Sequence, residues 1–554
     1  MRINSIWLYA ALLLGAVAAL YGQFLWNPLI FDDLLSFITD NAGNQLVSSY
    51  HFSLLELHSL PMATLAWTKA WFGLDLINFR LGNLLLHAMV VLALFFFLDT
   101  LFASMKLVQN KNEIAPRNTA FFAALLFALH PVSTYAAGYL IQRTIVMATL
   151  FCVLSMLVYV HGSTQKKPLW LWMSVPFYYM AVFCKEHAVM LPAVLLALTV
   201  LLHDDWQARL KQRWMIFTAL AAIAVYVISL KSIVGSVYEL NAPELLQTNA
   251  SGVTGGADVA LSYPLSIITQ SFLFFKYALL WIFPNPNWMS IDMREPFARS
   301  FFSTYLLATC GFVTWGIAAC WLLLKRGRSG LVGFAMLFPW LMFFTEFSTV
   351  RIQEVFVLYR SYLWAVGAFC MLPVIFSRLD SRTASFILSA IAVAMMPIAM
   401  ERLATLSNPF LLWSDAEKLV HGRSDLPGAY RIYYNRGTEL IKMDNPDQAI
   451  ADLKLSIALS KDFAEGYGNM GAAYMKKWDW KNAVVSFSKA IEIELAHNGN
   501  DSLSSKYING RATAYEKMGE LEKAQTDYKE VCRLIHKGCE KINLVRQSAS
   551  PGSK

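Results

Sequence analysis

Asn27-Pro28-Leu29-Ile30-Phe31-Asp32-Asp33-Leu34 follows directly on Ile6 to Trp26, a run that is almost wholly apolar. About 20 apolar residues suffice to cross a bilayer, so the run reads as a membrane span. The two carboxylates behind it therefore stand at a membrane–water boundary. Acids there either mark the end of a span or carry chemistry, and from these residues alone both readings are open.

Composition sets the class. Of 554 residues, 56% are hydrophobic and 15% charged, and the mean hydropathy is +0.44. Soluble globular chains carry about 25% charged residues, so this is a polytopic membrane protein. The formal net charge of +8 invites a nucleic-acid reading. The basic residues, however, sit in short loops between apolar runs, which is topology rather than a phosphate-binding patch. Arg2 precedes the first run and no small-x-small cleavage site precedes Trp26, so the run reads as a retained signal anchor.

Candidate spans are 6–26, 81–104, 118–135, 144–161, 169–184, 188–203, 214–231, 303–324, 330–345, 362–377 and 384–402. The stretch 263–284 is also apolar, and whether it crosses decides the orientation of everything after it. If the N-terminus is cytoplasmic and 263–284 does not cross, one side receives every basic cluster: Lys106, Lys111 and Arg117; Lys166 and Lys167; Arg209, Lys211 and Arg213; Lys325, Arg326 and Arg328; Arg378 and Arg382. That satisfies the positive-inside rule. About eleven spans are expected, with 263–284 re-entrant or interfacial. The outer side then holds the Asp32-Asp33 loop, the turn from His130 to Arg143, the Lys185-Glu186 turn, the 232–302 segment, the 346–361 loop and everything after Glu401.

The C-terminal part repeats. Gly437 and Gly471 are 34 residues apart, the tetratricopeptide period. Tyr433, Gly437, Leu440, Ala449 and Leu453 mark a first unit. Tyr467, Gly471, Tyr474, Ala483, Phe487 and Ala490 mark a second. Ile508, Ala512, Tyr515, Ala524 and Tyr528 mark a third, displaced by an insert around His497 to Leu503. Three such units are about the minimum for a stable solenoid, and a solenoid presents a concave surface to a macromolecular partner. The expected organisation is all-α: a helical membrane domain over 1–403, a linker over 404–427, three tetratricopeptide repeats over 428–541 and a tail over 542–554. Cys532 and Cys539 can bridge if the repeats lie outside the cytoplasm. The other five cysteines lie in apolar runs and read as inert.

Several stretches in this order carry a resemblance: Phe31-Asp32-Asp33, Asn83 to His87, His130-Pro131 with Gln142-Arg143, Cys184-Lys185-Glu186 with Leu191-Pro192, Leu279 to Pro286 with Asp292, Arg360 to Leu363, and Asn408 with Trp413. Together they resemble the transmembrane-and-tetratricopeptide-repeat protein O-mannosyltransferases and, more widely, the GT-C glycosyltransferases. Ser59-Leu60-Pro61 and Gln142-Arg143-Thr144-Ile145 depart from that family's usual pattern, as a divergent bacterial-type member would.

The resemblance implies transfer of a sugar, with inversion, from a polyprenyl-phosphate-linked donor to Ser or Thr hydroxyls of an exported protein such as a pilin, held by the repeats. The charge rule puts the N-terminus inside and the repeats outside, and the compact repeat tail with no eukaryotic targeting signal makes a bacterial cytoplasmic membrane, with the repeats in the periplasm, the expected setting. Asp33 or Asp32 would take the acceptor's proton, Asp33 being favoured. Lys185, Arg143 and Arg360 would face the leaving phosphate. His130, Glu186 and Asp292 are further candidates for substrate contact, although His130 could simply cap its helix and Lys185-Glu186 could pair with each other. No cofactor is assigned, with a divalent cation left open. The competing readings are a glycolipid- or polysaccharide-modifying transferase and a non-enzymatic assembly factor that docks through its repeats.

Overall fold

A computed structural model describes residues 2–37, 46–105, 107, 113–231, 236–237, 261–496, 501–536 and 539–542. Lys106 and Lys111, residues 497–500 of the insert, most of 232–260 and the tail beyond 542 lie outside them. By its internal contacts the chain divides between Asn408 and Pro409.

The first unit is helical and multi-pass. Among the described residues, eight helices are long and apolar enough to cross a membrane: Ile6–Phe24, Leu76–Ser104, Leu140–Gln165, Ser262–Ile282, Thr304–Lys325, Gly327–Ser348, Leu358–Ile375 and Ser381–Thr405. Two bent pairs, Pro116–Leu129 with Pro131–Ala137 and Trp206–Gln212 with Trp214–Leu230, raise the number to ten. Pro168–Cys184 and Glu186–Leu202 are shorter apolar helices. The first bend, 53°, has a local cause. Pro131 offers no N–H to continue the helix, and it drives His130 into extended backbone at φ −65° and ψ 131°.

Of the eleven expected spans, seven fall on span-length helices, 118–135 and 214–231 on the bent pairs, and 169–184 and 188–203 on the two shorter helices. The 263–284 stretch is a single unbroken helix, Ser262–Ile282, so it is not a re-entrant hairpin. Its neighbours show how it runs. Arg213 donates to Ser163 at 2.7 Å, Arg326 pairs with Asp204, and Arg328 reaches Glu113 at 2.5 Å. These contacts gather the basic loops at one end of the domain. Helix Trp214–Lys231 finishes at the opposite end, where Val227 and Ile228 meet Glu346 and Arg360 around a cavity that Tyr263 also lines. At its other terminus, Trp281 donates to Ser361 Oγ at 2.9 Å. Both ends of helix Ser262–Ile282 thus meet the end of the domain opposite the basic loops. The segment 349–361 tracks its length, with Gln270 donating to the Val355 carbonyl at 2.9 Å and Tyr277 to that of Val357 at 3.1 Å.

The second unit begins earlier than expected. Within the presumed linker, Pro409–Val420 is a helix that buries Leu412, Trp413, Ala416 and Val420. Its Glu417 pairs with Arg436 of the first repeat at 2.7 Å. An apolar face at helical spacing inside 404–427 is what makes this a capping helix rather than free chain. Three helix pairs follow: Ala429–Lys442 with Pro446–Leu459, Ala464–Lys476 with Trp480–Ala496, and Asp501–Lys517 with Leu521–Ile535. The repeat glycines are close-approach positions. A Cβ on Gly437 would stand 3.0 Å from Leu453, and one on Gly471 would stand 2.8 Å from the Phe487 ring. Repeats one and three each carry a two-pronged ion pair, Arg436 on Asp452 and Arg511 on Asp527. Cys532 and Cys539 form a disulfide.

Candidate active site

The acid pair stands on a braced loop. Arg80, at the start of helix Leu76–Ser104, donates to the carbonyls of Asn27 at 2.6 Å and Gly138 at 3.0 Å, and to that of Pro28. Asn27 in turn donates to the Leu403 carbonyl at 3.2 Å. Phe31 sits at φ +50°, a left-handed conformation that costs a non-glycine residue about 1–3 kcal/mol. The turn it makes sends the two carboxylates to different places. Asp32 is exposed, and its backbone N–H donates to Tyr139 Oη at 2.9 Å. Asp33 is 1% exposed. Its Oδ1 accepts the Ile141 N–H at 2.8 Å, and its Oδ2 is buried without a hydrogen bond. Burial pushes the Asp33 carboxyl up to about 7, against the opposing pull of Arg80 and of the backbone amides. The sequence favoured Asp33 as the proton acceptor; in the structure Asp32 is the exposed acid, and Asp33 turns inward to residue 141 at the start of helix Leu140–Gln165.

A second cluster surrounds a cavity of about 490 Å³. Glu346 is buried and holds two partners: Arg360 at 2.6 Å and His187 at 3.0 Å. Glu186 accepts from His58 at 2.7 Å. Glu186, His187, Glu346, Arg351 and Arg360 line the cavity together with apolar Val227, Ile228, Tyr263 and Phe344. Tyr359 joins the two clusters, being within electrostatic reach of both Asp32 and Glu346, with its ring 6.2 Å from that of Tyr139.

The remaining sequence-derived candidates fall elsewhere. Arg143 is buried, with all three guanidinium nitrogens engaged by Asn83 at 2.7 Å, Thr64 at 3.2 Å and the Phe79 carbonyl at 2.7 Å. Three of its five N–H donors thus brace the helices around it. His130 bonds through both ring nitrogens, to the Trp281 carbonyl at 3.0 Å and the Val132 N–H at 3.2 Å. Asp292 is locked to Arg294 at 2.6 Å. Lys185 adjoins the cavity-lining Glu186, on which its charge acts. Sequence reading passed over Arg80, Tyr139, His187, Glu346 and Tyr359. Glu346 had a signal: it is an acid just past the apolar run 330–345, as Asp32 and Asp33 are past theirs. No group of three or more metal-ligating side chains is found among the described residues.

Comparison with known proteins agrees with this architecture. The tetratricopeptide repeat family model matches residues 430–463 and 505–535. A mouse protein O-mannosyl-transferase, TMTC1, is 29% identical over 175 residues, covering 28% of this chain and 17% of the mouse protein. The Xenopus laevis protein O-mannosyl-transferase tmtc2 is 30% identical over 176 residues, covering 30% of this chain and 18% of its own. A wheat Hsp70-Hsp90 organizing protein is 27% identical over 73 residues, covering 13% of each chain. The chain therefore spans less than a fifth of the length of these mannosyl-transferases, which it resembles.

Proposed function

We propose that this protein is a membrane glycosyltransferase that moves a sugar from a polyprenyl-phosphate-linked donor to a Ser or Thr hydroxyl of an exported protein, with Asp32 as the proton acceptor. The observation that carries the reading is the division of labour in the acid pair. Asp32 stands exposed on a loop braced by Arg80, and the buried Asp33 ties that loop to Ile141. In the reaction the acceptor oxygen attacks the anomeric carbon and the bond from that carbon to the phosphate oxygen breaks. Its electron pair leaves with the polyprenyl phosphate, and Asp32 takes the hydroxyl proton.

The cavity supports the donor half of the reading. Its apolar wall of Val227, Ile228, Tyr263 and Phe344 suits an isoprenoid chain, and Arg351 and Arg360 offer charge for the leaving phosphate. Tyr359 lies within electrostatic reach of Asp32 and of the cavity-lining Glu346. The gathering of the basic loops at the opposite end of the domain supports an outward-facing site, in the periplasm of a bacterial cell. The disulfide in the repeats suits an oxidising compartment. Similarity to the mannosyl-transferases supports the reaction class. The match to an Hsp70-Hsp90 organizing protein is a reminder that repeats alone can generate similarity, so the weight rests on the membrane-domain geometry.

Intact-mass comparison of exported proteins from cells with and without the gene tests the reading. A protein that loses a hexose-sized mass in the knockout, and loses it again when residues 428–541 are deleted, supports it. Unchanged exported proteins beside an altered glycolipid would make the acceptor a lipid.

A further inference from the structure

The three repeats share one turn between their paired helices. Each turn places a residue in the left-handed region: Asp444 at φ +57°, Trp478 at +61° and Gly519 at +79°. The same backbone bond closes all three. Asn445 donates to the Leu440 carbonyl at 2.9 Å, Asp479 to that of Tyr474 at 3.0 Å and Glu520 to that of Tyr515 at 2.9 Å. Glycine and aspartate tolerate this conformation, whereas a bulky ring is strained there by about 1–3 kcal/mol. Trp478 is also 74% exposed, so burial does not offset the strain. Trp480 stands half-buried beside it, with the ring centres 5.5 Å apart and the planes at 74°. The two indoles form an open, nearly right-angled corner.

We propose that this corner binds a neutral pyranose chain. The charges around it select that ligand. Residues 443–447 and 476–481 set Asp444, Asp447 and Asp479 against Lys476, Lys477 and Lys481, a net charge of zero. Lys476 pairs with Asp444 at 3.0 Å and Lys477 with Asp447, which joins the turns of repeats one and two into one surface. Asp479 accepts from the Asn482 side chain at 2.7 Å and from its backbone N–H at 3.2 Å, and Lys481 is exposed. A pyranose lays its C–H face on an indole and turns hydroxyls outward that both donate and accept. Carboxylates, an amide and ammonium groups around the rings supply both kinds of partner. A bilayer surface attracts a segment with net positive charge, and here three carboxylates would enter it with the indoles. The core of a protein interface is depleted of charge, whereas these rings stand among charged side chains. Contact with a ligand accounts for a ring kept exposed in a strained turn. The inference stands whether or not the chain transfers sugar.

The test uses the full chain in nanodiscs with maltohexaose, mannohexaose and chitohexaose as probes and empty nanodiscs as the blank. Saturation-transfer NMR, with irradiation of the protein's aromatic resonances, reads contact between a ring and the sugar. At least one probe is expected to receive saturation, most strongly at its ring C–H protons. Trp478→Gly is expected to weaken that binding by about tenfold or more, the loss that follows removal of a central aromatic contact. Glycine is at ease in the left-handed turn, so the repeats of this variant should resist protease at least as well as the wild type. Trp478→Asp, which copies the residue of repeat one at this position, gives a second variant with the turn intact and the same loss. No transfer to any of the three probes would overturn the proposal. So would transfer undiminished in both variants, which would put the sugar elsewhere. Quenching by brominated lipids of the fluorescence that Trp478→Gly removes would make the occupant a bilayer and overturn it as well.

Discussion

Asp33→Asn is the perturbation whose size can be worked from the structure. The carboxyl is raised from an ordinary value near 3.8 to about 7 because burial outweighs Arg80 and the Ile141 amide. That difference corresponds to about 4 kcal/mol disfavouring the ionised form in the folded protein. The sign follows from proton counting. Between pH 4 and 7 the folded state holds a proton that the unfolded state has released, so stability falls as pH rises through this window and stays low above it. Asparagine keeps the acceptor oxygen for Ile141 and cannot ionise. At pH 5 the protonated acid and the amide both place a donor where Oδ2 now lies unbonded, so the variant should lead only by about 1.7 kcal/mol, the amount that ionisation of the unfolded chain already costs the wild type. At pH 8 the variant should be the more stable, by up to about 4 kcal/mol. A 200-residue domain shifts by about 2–4 °C per kcal/mol and larger chains by less, so the gap in Tm should reach several degrees. Thermal unfolding in detergent from pH 5 to pH 8 reads the difference, and titrations elsewhere cancel between the two proteins. A gap in Tm independent of pH would refute the buried, proton-holding carboxyl.

Two further predictions concern the frame around the site. Glu346→Gln removes the charge that Arg360 and His187 share in a buried position, and losing one partner of such a pair costs about 3–5 kcal/mol. It should lower Tm more than Glu354→Gln, whose contact with Arg294 is 3.8 Å and half exposed. Cys532→Ser opens a loop with a sequence separation of 7 and should cost the third repeat about 2–3 kcal/mol, seen as faster proteolysis after helix Leu521–Ile535 with the membrane domain unaffected.

Much of the architecture was legible because its signals are periodic. Eleven apolar runs of near-span length became helices, and a 34-residue glycine spacing became repeats, since bilayer thickness and helix packing each impose a length on the sequence. The site was legible only in outline. Asp32, Asp33, Glu186 and Arg360 announced themselves as polar residues at span ends. Their roles depend on directions that sequence does not carry: Phe31 at φ +50° turns one acid out and the other in. Arg143 and His130 drew attention for the same reason as Arg360, yet of the three only Arg360 lines the cavity. Arg80 escaped notice because it lies one residue ahead of where hydropathy starts the second span. The helical cap 409–420 was taken for linker because one amphipathic helix without a repeat partner leaves no period to detect.

The central claim is that Asp32 accepts the proton and Asp33 holds the loop. Transfer of labelled sugar from a polyprenyl-phosphate donor to the acceptor found by intact-mass comparison, in nanodiscs at saturating substrate, tests it most directly. Asp32→Asn should lower kcat by about 10²–10⁴-fold, the contribution of a positioned base, with Tm unchanged. Asp33→Asn should retain a substantial rate at pH 8. Equal rates for wild type and Asp32→Asn would contradict the account, and so would a loss confined to Asp33→Asn.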